Sequence, residues 1–251
     1  MTSPPVLDAH LSSYTPAFPH FEENRVVHEA YGRRIAARIR QQGLRSMLSL
    51  GIGHSEVAAA MLEVLREGAL QRYVLVDAAA DAVARFRAEF SPLPAGLELL
   101  EGWFESFETE GRFDIVEAGF VLEHVDDPAA VLRRMHRFLA PGGTLYVAVP
   151  NATSLHRRIG QAAGLLPDMH VLSDADRALG HRRYFDTSRL RALVEACGWQ
   201  VGAVQGMLIK PFTSQQLARL ELTPPVWQAL QAVAADYPEL SNAICLEARA
   251  A

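Results

Sequence analysis

A glycine turn is the part of this 251-residue sequence whose residue types and spacing point most directly to chemistry. An apolar run ends at Gly51-Ile52-Gly53, and a helical pattern begins directly after the second glycine. Glycines permit a tight turn and leave no Cβ between the backbone and a ligand. The amides at the start of the following helix would point toward the same ligand. This arrangement predicts a binding site for a nucleotide-like cofactor.

An acidic residue ends the next apolar run of the sequence. Asp77 follows the apolar residues 73–76, and it is separated from Gly51 by about the length of one helix plus one strand. A carboxylate at this place can accept hydrogen bonds from both hydroxyls of a ribose. We therefore expect Asp77 and the adjacent Ala78 to contact the cofactor together with the glycine turn.

The pair Glu123-His124 and the later His181 are the candidates for proton transfer. Histidine suits this task because its unperturbed pKa is about 6.5. His124 is the first candidate for a base that removes a proton from the substrate, and His181 is the second. Two other interpretations stay open for Glu123 and His124, namely hydrogen bonds that orient a loop and a divalent metal site. The sequence has no HExxH-like spacing to support a metal site, and we predict no metal ligand.

Alternating strands and helices must position these residues. The apolar segments predict strands at residues 45–50, 73–77, 97–100, 113–117, 144–149, 199–204 and 243–248. Helical patterns cover residues 22–41, 54–67, 80–90, 128–139 and 187–197. Apolar strands separated by helices are typical of a doubly wound α/β fold, in which helices cover both faces of a parallel sheet.

The predicted elements fit one domain, because 251 residues with 49% hydrophobic composition can bury a single large core. Residues 1–42 are an N-terminal arm and helix, and residues 43–151 are the cofactor-binding core. The alternation breaks in residues 152–185, which contain glycine, proline and three histidines, and this segment predicts a helical lid over the site. Residues 186–251 complete the sheet and carry a helical appendage.

Two longer segments carry a resemblance to a known family. FDIVEAGFVLEHVDDP begins at Phe113, and LAPGGTLYVAVPN begins at Leu139. Together with the glycine turn they resemble the class I S-adenosylmethionine-dependent methyltransferases. The branch most similar is the small-molecule group that includes the ubiquinone-biosynthesis O-methyltransferases. The resemblance implies a Rossmann-like sheet of seven mostly parallel strands with an antiparallel last strand, a helical lid insertion, and S-adenosylmethionine as cofactor.

The resemblance also assigns cofactor contacts along the chain. It implies that Gly102, Trp103 and Phe104 hold the adenine, and that Gly119 and His124 lie beside the methionine portion. The sequence departs from the family pattern at Ser49, where an acidic residue is common, and at Ser55, where a third glycine is common. Ser49 can still accept a hydrogen bond from the cofactor's ammonium group, but it lacks the charge of an acidic residue. Two interpretations follow, namely a modest affinity for the cofactor and compensation by Glu56 or another carboxylate.

Acceptor contacts are expected from the N-terminal arm and the lid. These candidates are polar or aromatic residues in segments that would cover the cofactor, namely Tyr14, His170, Arg182 and Tyr184. Paired arginines such as Arg182 and Arg183 suit an anionic group, although a solvated surface role is equally consistent with them.

The overall composition limits which classes of partner we expect. A net charge of −5 argues against a general nucleic-acid surface. No apolar stretch reaches the length of a bilayer span, and two distant cysteines fit a reducing compartment, so we expect a cytoplasmic protein without a membrane partner. The oligomeric state is left open.

The sequence thus predicts methyl transfer to a small-molecule acceptor, with oxygen favoured over nitrogen. One alternative is a regulatory protein that binds S-adenosylmethionine without catalysis, which the serine at position 49 keeps open. A second is a dinucleotide-dependent oxidoreductase, but the third glycine of that fingerprint is missing.

Overall fold

The computed structural model describes residues 21–251, in which strands and helices alternate through most of the chain. The strands are β1 (Ser46–Leu50), β2 (Arg72–Asp77), β3 (Leu97–Glu101), β4 (Phe113–Gly119), β5 (Leu139–Pro150), β6 (Trp199–Ile209) and β7 (Ser241–Ala250). The helices are α1 (Phe21–Gln42), α2 (Glu56–Arg66), α3 (Ala80–Glu89), α4 (Pro128–Met135), α5 (Leu155–Ala162), α6 (Asp174–Ala178), α7 (Thr187–Ala196), α8 (Ser214–Ala218) and α9 (Pro224–Ala234).

The strands form one seven-stranded sheet in the order β3-β2-β1-β4-β5-β7-β6. Strands β1 to β5 pair in parallel, and β7 is antiparallel to both of its neighbours. The predicted doubly wound α/β fold with an antiparallel last strand is therefore confirmed. The order reverses between β1 and β4, and a ligand crevice is expected where the carboxyl ends of two such strands separate.

Side-chain alternation along the strands builds a core on each face of the sheet. In β1, Met47 joins a cluster with Tyr31 of α1 and Met61 of α2. The next residue, Leu48, joins the opposite cluster, which includes Val131 of α4. Successive strand residues point to opposite faces, so the apolar run of β1 is buried on both sides and the following turn is held in place.

One predicted helix ends earlier than expected. The pattern predicts a helix over 128–139, but α4 ends at Met135 and β5 already begins at Leu139. Gly142 has a φ of +76°, a left-handed conformation that breaks a helix, and β4 and β5 pair with a shift of register nearby. The glycine pair that ends the helical pattern is thus part of a longer, irregular strand.

The two C-terminal additions pack on the sheet in different ways. The insertion after β5 contains α5 and α6, and α9 of the appendage packs along β6. The amide of Gln231 in α9 donates to the Val26 carbonyl 2.8 Å away and accepts from the Leu208 amide at 2.9 Å. The appendage therefore connects α1 to β6.

Among residues 21–251, no helix is both long and apolar enough to cross a bilayer.

Candidate active site

A cavity of about 500 Å³ lies at the carboxyl ends of β1, β2 and β4. Its walls come from these strand ends, from α1, from the insertion after β5 and from the end of β6. This volume lies within the range of small-molecule sites. The sheet, the insertion and the N-terminal helix thus enclose one site at the point where the strand order reverses.

The glycine turn forms the floor of this cavity. Gly51 has a φ of +84°, and its amide donates to the carbonyl of Val76 in β2 at 2.7 Å. Asp77 accepts the amide of Ile52 at 2.8 Å through Oδ2 and the amide of Ala79 at 2.8 Å through Oδ1. Asp77 lines the cavity as predicted, and it also fixes the conformation of the turn.

Most of the predicted cofactor contacts line the cavity. They are Gly51, Ile52, Gly53, Asp77, Ala78, Trp103, Phe104, Gly119 and His124. Ser49 and Gly102 do not line it. Ser49 is 1% exposed and lies within the sheet, below the turn. The Gly102 amide donates to the carbonyl of Asp77 at 2.9 Å, which anchors that glycine to the end of β2. Contact of these two residues with the cofactor stays a prediction.

Glu117 is a cavity residue that the sequence analysis missed. It lies in β4, directly across from Ser49 in β1, and it is 3% exposed. Its Oε1 accepts the amide of Gly119 at 2.5 Å. Burial raises the pKa of Glu117 to about 7, although the nearby Ser49 hydroxyl and Gly119 amide partly oppose the rise. A Cβ at Gly119 would lie 2.4 Å from both Glu117 Oε1 and a ring carbon of Tyr31, so a larger residue there would have to displace these side chains.

Glu123, His124 and His181 come together on the opposite side of the cavity. Their potential ligand atoms all lie within 4.8 Å of one another, and the two imidazole rings meet edge to face at 4.8 Å. Within the described range, neither carboxylate oxygen of Glu123 makes a hydrogen bond. Burial raises its pKa to about 7, and the neighbouring His181 opposes the rise. The two predicted proton acceptors therefore share one cluster.

This cluster has the composition of a metal site as well as of a proton-transfer site. One carboxylate and two imidazoles are a donor set for a divalent transition metal. Glu123 and His124 were considered for this purpose from the sequence, and no metal ligand was predicted because the sequence has no HExxH-like spacing. His181 was not included in that comparison. Because His181 lies close to Glu123 and His124 in the structure, a divalent metal site at this cluster stays open as an interpretation.

Residues of the insertion hold His181 in place. Its Nδ1 lies 3.4 Å from Oδ1 of Asp176, and the hydroxyl of Tyr184 donates to the same oxygen at 2.8 Å. Burial would raise the pKa of Asp176, but the neighbouring His181 and hydrogen bonds from two hydroxyl side chains lower it below its ordinary value. Asp176 therefore remains a carboxylate. The only sequence signal was the spacing Ser173-x-x-Asp176, a helix capping box.

Arg157 organises the insertion from within. It is 8% exposed and donates from Nε to the carbonyl of Met169 at 2.9 Å and from a terminal nitrogen to that of Val171 at 2.6 Å. Its guanidinium also lies over the ring of Tyr184, 4.3 Å from the centroid. The sequence analysis missed this residue because its partners are 12 to 27 positions away.

The predicted acceptor residues have different outcomes. Tyr184 and Arg182 line the cavity, and Arg182 pairs with Asp126 at its exposed rim. His170 does not line the cavity. Its Nε2 lies 3.0 Å from Asp186, the N-cap of α7, which is a structural contact. A contact of His170 with the acceptor stays a prediction. Tyr14 lies outside the described residues.

The chain's single lysine forms part of the far wall of the cavity. Lys210 is 4% exposed, and its Nζ donates to Glu23 at 2.7 Å and to the Ser214 hydroxyl at 2.8 Å. The network joins α1 to the segment between β6 and α8. The sequence analysis gave this residue no role, because its partner Glu23 is 187 positions away.

Comparison with known proteins places these features in a family. The model of a methyltransferase domain family matches residues 22–204. A ubiquinone biosynthesis O-methyltransferase of Xanthomonas campestris is 28% identical over 184 residues, covering 72% of this chain and 73% of that protein. The same enzyme of Pseudomonas aeruginosa is 26% identical over 170 residues, covering 67% of this chain and 70% of that protein.

Solved structures support the fold at lower identity. An S-adenosylmethionine-dependent methyltransferase from Thermotoga maritima matches with a TM-score of 0.61 at 16% identity, covering 97% of each chain. A glycopeptide N-methyltransferase in complex with sinefungin matches with a TM-score of 0.56 at 14% identity, covering 89% of this chain and 86% of that one. A complex of the Haloferax volcanii Trm112 activator with a methyltransferase matches with a TM-score of 0.62 at 15% identity, covering 100% of this chain and 99% of that one.

Proposed function

This chain belongs to the methyltransferase domain family and is an S-adenosylmethionine-dependent methyltransferase, and we propose that it methylates an oxygen atom of a small-molecule acceptor. One observation carries the proposal: a single cavity joins the glycine turn to the Glu123, His124 and His181 cluster. A cofactor floor and a proton-accepting wall therefore face the same space.

The residues of the cavity fit the proposed cofactor. The bare backbone at Gly51 leaves a surface on which a ligand can lie, and Asp77 offers a carboxylate at the adjacent strand end. Trp103 and Phe104 supply flat apolar faces suited to an adenine ring. We propose that these four residues, with Ile52, Gly53 and Ala78, hold S-adenosylmethionine. When bound, this cofactor supplies a methyl group that its sulfonium charge makes electrophilic.

The remaining chemistry belongs to the chain itself. A hydroxyl acceptor must lose its proton, and a histidine within hydrogen-bond reach can take it. We propose that His124 or His181 receives that proton. The Asp176 carboxylate, 3.4 Å from His181 Nδ1, would orient the His181 ring toward the cavity. The enclosing walls align the acceptor and exclude water, which is the larger part of the catalytic task.

The insertion is proposed to act as the cover of this site within a single domain. Residues 152–185 contribute His181, Arg182 and Tyr184 to the cavity, and they lie outside the sheet. If this segment closes over the ligand, its amides exchange slowly in the bound protein and faster in the free protein. Equal protection of the segment in both states would contradict the cover.

The choice of oxygen rests on the curated relatives, which are named as O-methyltransferases, and on the two histidines. A glycopeptide N-methyltransferase has a similar fold, so a nitrogen acceptor is the second candidate. We propose a phenol, a sugar or a specialised metabolite as acceptor. The two free, buried cysteines fit a reaction in the cytoplasm.

Calorimetry and a product assay test this function. S-adenosylmethionine and S-adenosylhomocysteine should bind, and NAD should not. Phenols, catechols and hydroxylated sugars, offered with their amine counterparts, should yield products with one added methyl on oxygen, as read by mass spectrometry and NMR. Methylation of the amines alone would replace oxygen by nitrogen. Binding of the cofactor with no methylated product from any acceptor class would favour the regulatory alternative.

A further inference from the structure

We propose that Glu117 binds the α-ammonium group of the cofactor's methionine portion, so that β4 supplies the negative charge that β1 lacks at Ser49. This inference rests on the cofactor pocket proposed above. It assigns an ionic contact to a residue outside the predicted set and makes it a determinant of cofactor affinity.

The register of the sheet brings Glu117 to the glycine turn. Ser49 of β1 and Glu117 of β4 are direct partners in a parallel pair, and Gly51 follows Ser49 by two residues. Neighbouring strands are about 4.8 Å apart. A carboxylate on β4 at this level is therefore within one side-chain length of the turn, at the crevice where the strand order reverses.

The other buried carboxylates of the cavity already have partners or lie elsewhere. Glu23 is held by Lys210 at 2.7 Å, and Asp176 accepts the Tyr184 hydroxyl. Glu123 lies in the cluster with the two histidines. Among the buried acids described, Glu117 is thus the one beside the turn, and no lysine, arginine or histidine of residues 21–251 forms an ion pair with it.

The surroundings of Glu117 are built to hold a charged group in one place. The Gly119 amide donates to Oε1, and the absence of a Cβ at Gly119 leaves room for the carboxylate beside Tyr31. The hydroxyls of Tyr31 and Ser49 are buried beside this carboxylate and favour its charged form. A buried carboxylate is costly without a cation, and an ammonium group that donates to Glu117 would offset that cost.

Two ligands that differ in the amino-acid portion test the assignment. S-adenosylhomocysteine carries the ammonium group, whereas 5′-methylthioadenosine has the same adenosine and a thioether sulfur without it. Glu117→Gln should weaken S-adenosylhomocysteine binding by about 10–100-fold, the scale of a hydrogen bond to a charged group, and leave methylthioadenosine binding unchanged in calorimetry. Asp114→Asn is the matched control, because Asp114 is an acid of the same strand that lies at the end away from the cavity, where it accepts the amides of Arg45 and Ser46. It should change neither affinity more than about twofold.

The outcomes separate this inference from the proposed pocket. Equal weakening of both ligands by Glu117→Gln, or no weakening of either, would overturn the ammonium contact while the pocket stands. A native protein that binds neither ligand would contradict the pocket itself. Gly119→Ala is a second variant, because it leaves the carboxylate in the chain but displaces it. It should reproduce the selective loss of S-adenosylhomocysteine, and equal affinities for that ligand in Gly119→Ala and the native protein would count against Glu117.

Discussion

The floor of the cavity and its cover are built by different means. The floor consists of the ends of β1, β2 and β4, where the glycine turn is fixed by hydrogen bonds to Val76 and Asp77. The proposed cover is the insertion of residues 152–185, in which one buried arginine donates to two carbonyls and His181 lies beside Asp176. The floor residues lie on strand ends and are as rigid as the sheet. The sequence of the cover can change without altering the conformation of the floor. We infer that the floor sets which cofactor binds and the cover sets which acceptor reacts.

Replacement of His124 or His181 should have the largest effect, a loss of kcat, and would test whether these residues act on the acceptor rather than on the cofactor. If either is the base, His124→Ala or His181→Ala should lower kcat by about 10²–10⁴-fold and leave S-adenosylhomocysteine affinity nearly unchanged. Steady-state kinetics and calorimetry on the same preparations measure both quantities. Near-native kcat in both variants across pH would mean that alignment alone drives the reaction, as expected for an acceptor that is already ionised.

A change in the floor of the cavity should have the next largest effect, and it should lower cofactor affinity rather than kcat. Asp77→Ala removes the acceptor of the Ile52 and Ala79 amides and the proposed ribose contact. It should weaken S-adenosylhomocysteine and methylthioadenosine alike by about 1–3 kcal/mol. Calorimetry gives the affinities, and thermal unfolding without ligand separates loss of the contact from loss of the fold. Native affinities in this variant would remove Asp77 from the site.

The pH dependence of cofactor affinity should give a smaller effect. Burial raises the pKa of Glu117 to about 7, and only its ionised form pairs with an ammonium group. Affinity for S-adenosylhomocysteine should therefore rise by up to about tenfold between pH 6 and pH 8. The facing Tyr31, Tyr73 and Cys245 keep raised pKa values and stay neutral in this window.

The control for this pH effect must separate Glu117 from Glu123, whose pKa is also raised to about 7 by burial. Glu117→Gln should flatten the pH dependence of S-adenosylhomocysteine binding, and Glu123→Gln should retain it. A flat profile in the native protein, or the same slope for methylthioadenosine, would assign the dependence to another group.

A surface pair on the rim of the cover should give the smallest effect. Arg182 and Asp126 form an exposed ion pair, and such pairs contribute about 0–1 kcal/mol. Arg182→Ala should therefore change KM for a neutral acceptor by less than about fivefold and leave cofactor affinity unchanged. A much larger rise in KM would instead identify Arg182 as a contact to an anionic acceptor, and would make the rim part of the recognition surface.

The same contrast explains how far the sequence predicted the molecule. The strands, the glycine turn and Asp77 follow from local periodicity and spacing, so the sequence locates each of them. The ends are less accurate, since β5 begins at Leu139 rather than 144 and β6 ends at Ile209 rather than 204. Ser49 and Gly102 do not line the cavity although their neighbours in sequence do, because a position near the site in sequence can point away from it. Glu117 was missed because its neighbour across the sheet, Ser49, is identified only by strand register.

The cover was the harder part to predict. His181 was recognised by residue type alone, but its partner Asp176 and the central Arg157 make contacts that no periodic pattern encodes. His170 is also a histidine beside an acid, but its contact is with Asp186, the N-cap of α7, and it does not line the cavity. Irregular segments place side chains by specific long-range contacts, so residue type without geometry cannot distinguish these two histidines.

The buried lysine gives the chain an unusual chemical property. Lys210 is the only lysine, and its amine is enclosed by Glu23 and Ser214 in the far wall of the cavity. Reagents that acylate side-chain amines should therefore react with their one target slowly while it is held by Glu23 and Ser214. The rate of acylation of Lys210, measured by mass spectrometry, therefore reports how often that wall of the cavity opens, and no engineered probe is needed.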